Sequence, residues 1–153
     1  MEQIFIRKAT IEDLGILLGF EQELIKAERP FDPTIKKGPT HYYDLKWIIT
    51  SPTVELAIAE YEGKIIGCGY ARIETAQAFL QHNHYAYLGF MYVDPGWRGK
   101  SVNKAIMDHL KQWVVSKGLK ELRLDVYSDN QAAIKAYGKA GFEPLKLEMR
   151  MEL

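Results

Sequence analysis

Two spacings alternate along the chain. Between Gln3 and Lys8, Ile4 and Ile6 share one face, the two-residue period of a strand, and Thr10 follows with Asp13 three positions on, a helix-cap pair. From Ile11 to Glu28 the apolar residues Ile11, Leu14, Leu17, Leu18, Leu24 and Ile25 recur near helical spacing, interrupted by Glu21. Arg29-Pro30-Phe31-Asp32-Pro33 stops that helix, and the stretch to Thr40 carries the prolines and glycine of a loop. A short helix is expected around Tyr42 to Ile49, ending before Ser51-Pro52. Val54, Leu56 and Ile58 alternate with less apolar partners, Glu62-Gly63 makes a turn, and a second run from Lys64 to about Glu74 completes a β-hairpin. Tyr85 to Val93 is almost wholly apolar or aromatic, which suits a central strand covered on both faces. Val102, Ile106, Leu110, Trp113 and Val114 mark a helix face that ends near Gly118, and Leu122, Leu124 and Val126 alternate as the next strand. Asp129 is placed to cap a helix with the face Ala133, Ala136, Tyr137 and Ala140, stopped by Gly141, and Phe142 to Met151 alternates as a terminal strand. The order β-α-α-β-β-β-α-β-α-β describes an α/β (α+β) fold, a mixed sheet with helices on both faces.

The length of 153 residues suits one domain over 1–153, with 47% apolar and 26% charged residues excluding a disordered chain. Twenty Lys plus Arg balance twenty Asp plus Glu, so no net positive charge favours a nucleic-acid backbone, and no nucleic-acid partner is expected. The single cysteine, Cys68, makes neither an internal disulfide nor a thiolate metal cluster, so a reducing cytoplasm is the expected location. It lies between Gly67 and Gly69 and reads as a small core residue rather than a nucleophile. No secretory signal is apparent in Met1 to Thr10. Thr75 to Val93 holds no Asp, Glu, Lys or Arg, yet His82, Asn83, His84 and two glutamines interrupt it, so strand and loop are expected there and no membrane span. His82 and His84 have metal-like spacing without a nearby carboxylate or thiolate in sequence, and no metal is expected.

Candidate chemistry concentrates in Asp94-Pro95-Gly96-Trp97-Arg98-Gly99-Lys100-Ser101, which joins the apolar strand to a helix. Such a turn aims backbone N–H groups at one point, the helix dipole adds about half a positive charge, and Arg98 and Lys100 add full charges, so it reads as an anion site. Gly99-Lys100-Ser101 fails as a nucleoside-triphosphate loop, because the earlier glycine that loop requires is Asp94 here.

Val93-Asp94-Pro95, Arg98-Gly99-Lys100 and Lys104-Ala105-Ile106-Met107 together resemble the phosphate-binding segment of the GNAT N-acetyltransferase superfamily. The run from Asn130 through Ala133 and Tyr137 to Gly141-Phe142 is similar to that family's later helix. The two motifs cover about Tyr85 to Phe142, and the element order extends the resemblance over the chain. The departure is that Ser101 and Asn103 stand where the phosphate motif has small residues, chiefly glycine. The resemblance implies a mostly antiparallel central sheet with splayed central strands, and acetyl-CoA as co-substrate. It implies that Arg98, Gly99, Lys100, Ser101, Val102 and Asn103 cradle the pyrophosphate. The backbone of Met91, Tyr92 and Val93 would run beside pantetheine, and Asn130 would help hold the coenzyme arm. Tyr137 matches the family's general-acid tyrosine, its phenol with a reference pKa of about 10 protonating the departing thiolate.

The base is open. Where some members carry a glutamate on the central strand, Tyr87 stands here, so deprotonation through ordered water is expected, with Glu74, Tyr85, Tyr87 or His84 as candidates. The loop from Glu28 to Asp44 is expected to choose the acceptor. Glu28, Asp32 and Asp44 are suited to a cationic amine, Phe31, Tyr42 and Tyr43 to its walls, while Lys36 and Lys37 argue against a simple polyamine. The expected activity is acetyl transfer to a primary amine by direct attack, the acceptor being a small molecule or a protein. The rival is a non-catalytic acyl-CoA-binding sensor or docking module. A homodimer through the exposed sheet or the terminal strand is compatible with the sequence.

Overall fold

The computed structural model describes residues 3–153. Strand β1 (Phe5–Lys8) leads through a single 3-10 turn, Ile11–Asp13, into helix α1 (Leu14–Glu28). The Thr10 N–H donates to the Asp13 carboxylate at 2.7 Å, the capping relationship expected from their spacing. Helix α2 (Leu45–Thr50) is shorter than the sequence suggested, because Asp44 rather than an earlier residue caps it, accepting from the Trp47 N–H at 3.2 Å. Strands β2 (Val54–Tyr61) and β3 (Lys64–Thr75) form the hairpin, and Glu62 and Gly63 both take positive φ, 48° and 78°, as a two-residue turn between right-twisted strands requires. Strand β4 (His84–Val93), helix α3 (Val102–Ser116), strand β5 (Leu122–Arg123) and helix α4 (Gln131–Lys139) complete the order.

The sheet order is β1-β2-β3-β4-β5, antiparallel except for the parallel β4–β5 pair. On one face, α1 and α2 cover Leu56, Ile58, Cys68, Tyr70, Phe90 and Tyr92; on the other, α3 buries Val102, Ile106, Leu110 and Val114 against Ala57, Ile66, Ala71 and Leu88. Cys68 is fully buried, in keeping with its reading as a core residue. No described helix is long and apolar enough to cross a membrane, and no three His, Cys, Asp or Glu among the described residues gather as a metal site.

Three expectations need correction. The alternation at Leu122, Leu124 and Val126 yields only two paired residues, because β5 leaves β4 after Arg123. Asn130, not Asp129, caps α4, accepting from the Ala133 N–H at 3.2 Å. Phe142 to Met151 alternates as a strand should, yet it forms no ladder among the described residues, because alternation supplies a face and not a partner edge.

Candidate active site

The site is built around an irregularity in β4. Ala86 and Leu88 pack on the α3 side, whereas Phe90 and Tyr92 pack on the α1 side. The parity reverses because β4 carries a bulge: Cys68 faces Tyr92 but Tyr70 faces Gly89, leaving one extra residue on β4. Phe90 absorbs it with φ 52°, a left-handed conformation that costs an ordinary residue about 1–3 kcal/mol. A Cβ on Gly69 opposite would lie 2.2 Å from the Met91 sulfur, so any larger residue there would push the Met91 side chain aside. The Cys68 thiol donates to the Phe90 carbonyl at 3.4 Å, and Tyr43 closes over the Phe90 ring at 4.9 Å and the Tyr70 ring at 5.7 Å.

From Leu88 on, just before the bulge, β4 loses its neighbour on the β5 side. Its pairing with β5 is confined to Ala86 with Leu122 and Tyr87 with Arg123, so the edge from Leu88 to Val93 has no strand on that side among the described residues. This is the splay that the family resemblance implied. Met91 and Val93 face the α3 side of the opening, and Tyr137 and Leu124 pack against the same apolar cluster.

At the end of β4 the chain turns through Pro95–Trp97 and reaches α3 with Gly99 at φ 76° and Ser101 at φ 65°. Ser101 thus holds the conformation that glycine adopts without strain, at the position where the sequence departs from the glycine pattern. Its side chain does not cap α3, which leaves the first-turn N–H groups of Val102, Asn103 and Lys104 without a side-chain acceptor from it. The Arg98 Nε donates to the Val93 carbonyl at 3.1 Å, tying the turn to the strand end, and Lys100 lies over the Trp97 ring at 5.2 Å. Backbone donors, a helix dipole and two cations therefore converge where the open edge of β4 ends, an arrangement that fits a polyanionic group.

Across the opening, the Tyr87 hydroxyl donates to the Asp125 carboxylate at 2.8 Å. Burial, reinforced by that bond, raises the Tyr87 pKa well above the phenol range, so it is a poor base. Asp125 was not anticipated, because it lies just past the end of β5, in a stretch the sequence reads as strand. Burial raises the Tyr137 pKa too, with the Glu28 charge adding to the effect, which keeps this phenol protonated and able to donate. Asn130 spends its side-chain oxygen on the α4 cap, leaving its amide N–H groups available to a ligand.

The structure separates the acidic candidates of the acceptor loop. Asp44 is the α2 cap, and Asp32 is held by Thr34 and by Arg150 at 2.8 Å. Glu28, at the last turn of α1, is half-buried, and its carboxylate is felt by Tyr42, Tyr43, Tyr127 and Tyr137. Burial raises its pKa, partly countered by the neighbouring Tyr42 hydroxyl, which is buried and makes no well-formed hydrogen bond. Phe31 stacks on Tyr127 with ring centroids 5.9 Å apart, so the aromatic wall expected at Phe31, Tyr42 and Tyr43 extends to Tyr127. The loop is fixed from below by Glu21, whose fully buried carboxylate accepts from the Tyr42 and Tyr43 N–H groups, each at 2.9 Å, and bonds His41 Nδ1 at 2.7 Å.

The other candidate bases lie apart from this group. Glu74 is ion-paired with Arg72 on β3, Tyr85 sits under Arg123 at 4.4 Å, and His84 is the exposed first residue of β4. His82 approaches Glu121 at 3.8 Å and Tyr85 ring-edge at 6.3 Å, with no third ligand to make a metal site.

Comparison with known proteins gives a consistent result. The model of the acetyltransferase (GNAT) family matches residues 22–142. An uncharacterized N-acetyltransferase of Methanocaldococcus jannaschii is 27% identical over 90% of this chain and 60% of its own length. An aminoglycoside N(6')-acetyltransferase type 1 of Stenotrophomonas maltophilia is 26% identical over 57% of this chain and 64% of its own. The chain thus spans about 60% of the length of these curated relatives. Among solved structures, a mutant Bacillus halodurans protein superposes with a TM-score of 0.87 at 18% identity, covering 97% of this chain and 99% of that one. A Clostridium acetobutylicum protein named as a predicted acetyltransferase, solved with acetyl-CoA, gives 0.74 at 16% identity over 98% and 96%. The aminoglycoside acetyltransferase AAC(6')-Iy, in complex with a bisubstrate analogue, gives 0.73 at 20% over 99% and 98%.

Proposed function

The chain belongs to the GNAT acetyltransferase family, and from that premise we propose that it transfers an acetyl group from acetyl-CoA to a primary amine by direct attack. The observation that carries the reading is a juxtaposition: the uncapped start of α3, on its left-handed Gly99–Ser101 turn, lies at the end of the β4 edge that β5 leaves unpaired. One feature binds diphosphate and the other offers backbone hydrogen bonds to an extended amide chain; acetyl-CoA contains both.

In this reading residues 98–103 hold the pyrophosphate, the backbone of Met91 to Val93 aligns pantetheine, and the Asn130 amide steadies the arm. Bound acetyl-CoA supplies the activated acyl group and a thiolate leaving group. Tyr137 on the α3 side donates its proton to that sulfur. Glu28 on the α1 side, walled by Tyr42, Tyr43 and Tyr127, receives the ammonium of the acceptor and takes its proton directly or through water. Its raised pKa makes it a stronger base than an exposed carboxylate. The aromatic wall suits a small-molecule amine, and the aminoglycoside activity in the names of two relatives is compatible with that size class.

Thermal-shift titration with acetyl-CoA, coenzyme A and ATP is the first test. A ligand at 100 times its Kd stabilises by about 2.7 kcal/mol, so selective stabilisation by the two coenzymes is expected. An equal response to ATP refutes the cofactor assignment. Coenzyme binding without thiol release on a broad panel of amines would favour the non-catalytic acyl-CoA-binding module instead.

A further inference from the structure

We propose that Tyr87, held in place by Asp125, limits the acyl group of the donor to acetyl. This rests on the acetyl-transfer reading and concerns what stands at the closed end of the β4 edge.

The position of the acyl group follows from the direction of the arm that carries it. The phosphate-binding turn lies at the Val93 end of the open edge, so an extended arm can run only backward along β4, toward Leu88. From pyrophosphate to sulfur, pantetheine has the length of about four extended peptide units, roughly 14 Å, and the strand rises roughly 13 Å between Val93 and Gly89. The sulfur therefore arrives beside Gly89 and Leu88, with its acyl carbons aimed at the vertex where β5 rejoins β4.

Three walls meet at that vertex. Ahead, the ladder bars the way: Tyr87 pairs with Arg123, Ala86 pairs with Leu122, and the Ala86 N–H donates to the Glu121 carbonyl at 2.9 Å. On the α3 side Leu88 is buried, and Leu122, Leu124 and Tyr137 pack in the same apolar cluster. On the α1 side the wall consists of side chains alone. Tyr70 lies over Gly89, where a Cβ would come within 2.5 Å of its hydroxyl oxygen. The Tyr87 hydroxyl reaches across the parting strands to the Asp125 carboxylate at 2.8 Å, two residues past their last backbone pair. The Arg72 guanidinium covers the Tyr87 ring at 4.7 Å, while its Nη1 donates to the Tyr70 hydroxyl at 3.0 Å and its Nε to Glu74. A phenol held by its face and by its hydroxyl cannot swing aside without losing that bond. Room for the acyl group ends at this ring, and the added methylenes of a longer chain must displace it, at a cost of roughly tenfold or more in affinity.

Titration calorimetry of the full chain with coenzyme A, acetyl-CoA and butyryl-CoA tests this and needs no acceptor. The wild type should bind the first two, and butyryl-CoA roughly tenfold or more weakly than acetyl-CoA. Tyr87→Ala should bring the two esters to near-equal affinity. The Asp125 side chain is exposed, so its removal spares the core. Asp125→Ala should raise the butyryl-CoA to acetyl-CoA affinity ratio about fivefold or more by releasing the Tyr87 hydroxyl. Asp125→Asn keeps an acceptor oxygen for that hydroxyl and should retain the wild-type ratio. If the wild type binds neither coenzyme A nor acetyl-CoA, the acetyl-transfer reading fails and the assignment of Tyr87 falls with it. If it binds both and takes butyryl-CoA equally well, or if Asp125→Ala leaves the ratio at its wild-type value, the role of Tyr87 alone is overturned.

Discussion

Glu21 is the residue by which this account of the acceptor side is most directly tested. Its carboxylate is fully buried and satisfies two backbone N–H groups, those of Tyr42 and Tyr43, as well as His41. Glu21→Ala removes all three contacts. Two unsatisfied amides at about 1–3 kcal/mol each, with water reaching part of this half-buried loop, put the cost near 3 kcal/mol. Glu21→Gln keeps one acceptor oxygen for the two amides and an amide group within reach of His41, so it should cost about 1 kcal/mol. For a chain of this length 1 kcal/mol corresponds to roughly 2–4 °C, so Glu21→Ala should melt about 6–12 °C below wild type and Glu21→Gln no more than a few degrees below. Urea unfolding is the assay, and the slope m should be unchanged while the midpoint falls. Because Tyr42 and Tyr43 line the proposed acceptor site, Glu21→Gln should raise the acceptor KM more than it weakens acetyl-CoA binding. The reasoning fails if Glu21→Ala is as stable as wild type, the outcome found when a buried ion is held for no energetic gain.

Tyr137→Phe should lower kcat about 10²-fold or more with acetyl-CoA affinity unchanged, read by thiol release and by thermal shift; equal turnover would return Tyr137 to the core. Glu28→Gln should abolish the acid limb of kcat/KM, which in the wild type should lie above pH 4.5 because burial raises this carboxyl; a limb that persists in the variant assigns the base elsewhere. Ser101→Gly should retain coenzyme binding with stability within about 1 kcal/mol, since relief of the left-handed strain is offset by glycine's greater unfolded freedom. Ser101→Glu, which sets a carboxylate among the phosphate donors, should lose the thermal shift with acetyl-CoA. The Arg7 hydrogen bonds hold the Asp13 carboxyl below its usual range. Its contribution is therefore complete above about pH 4 and is lost as pH falls through the depressed value, so Arg7→Ala should move the acid-unfolding midpoint upward in a circular-dichroism titration.

Most elements were legible in the sequence because each rests on a local rule. Glu62-Gly63 announced the hairpin, and the apolar stripe of α3 announced its buried face. The failures share a different cause. Leu122, Leu124 and Val126 have the right period, but whether a strand pairs depends on how far its neighbour diverges, and that divergence is a property of the sheet. Glu21 looked like an interruption of α1 because its partners, Tyr42 and Tyr43, lie some twenty residues away. Glu28, Asp32 and Asp44 were indistinguishable as acidic loop residues until the folded chain gave Asp44 to a helix cap and Asp32 to Arg150.

The same reasoning explains why the site lies where β4 departs from regularity. A strand buried on both faces gives no sign in its sequence that its parity reverses, because apolar residues suit either face. The bulge at Phe90 makes that reversal. Before it, even-numbered residues serve the α3 side; after it, Phe90 and Tyr92 serve the α1 side, while Met91 and Val93 turn toward α3. The strain at Phe90 is local, but its effect spans the sheet. It brings side chains of β4 to both compartments just where β5 has turned away and backbone groups are free to bind. A donor held from the α3 side and an amine held by Glu28 from the α1 side can meet only through such a gap. Deleting Phe90 would remove the extra residue and leave Met91, Tyr92 and Val93 on their present faces, so the α3 lining should survive while the α1 side loses the ring that packs under Tyr43.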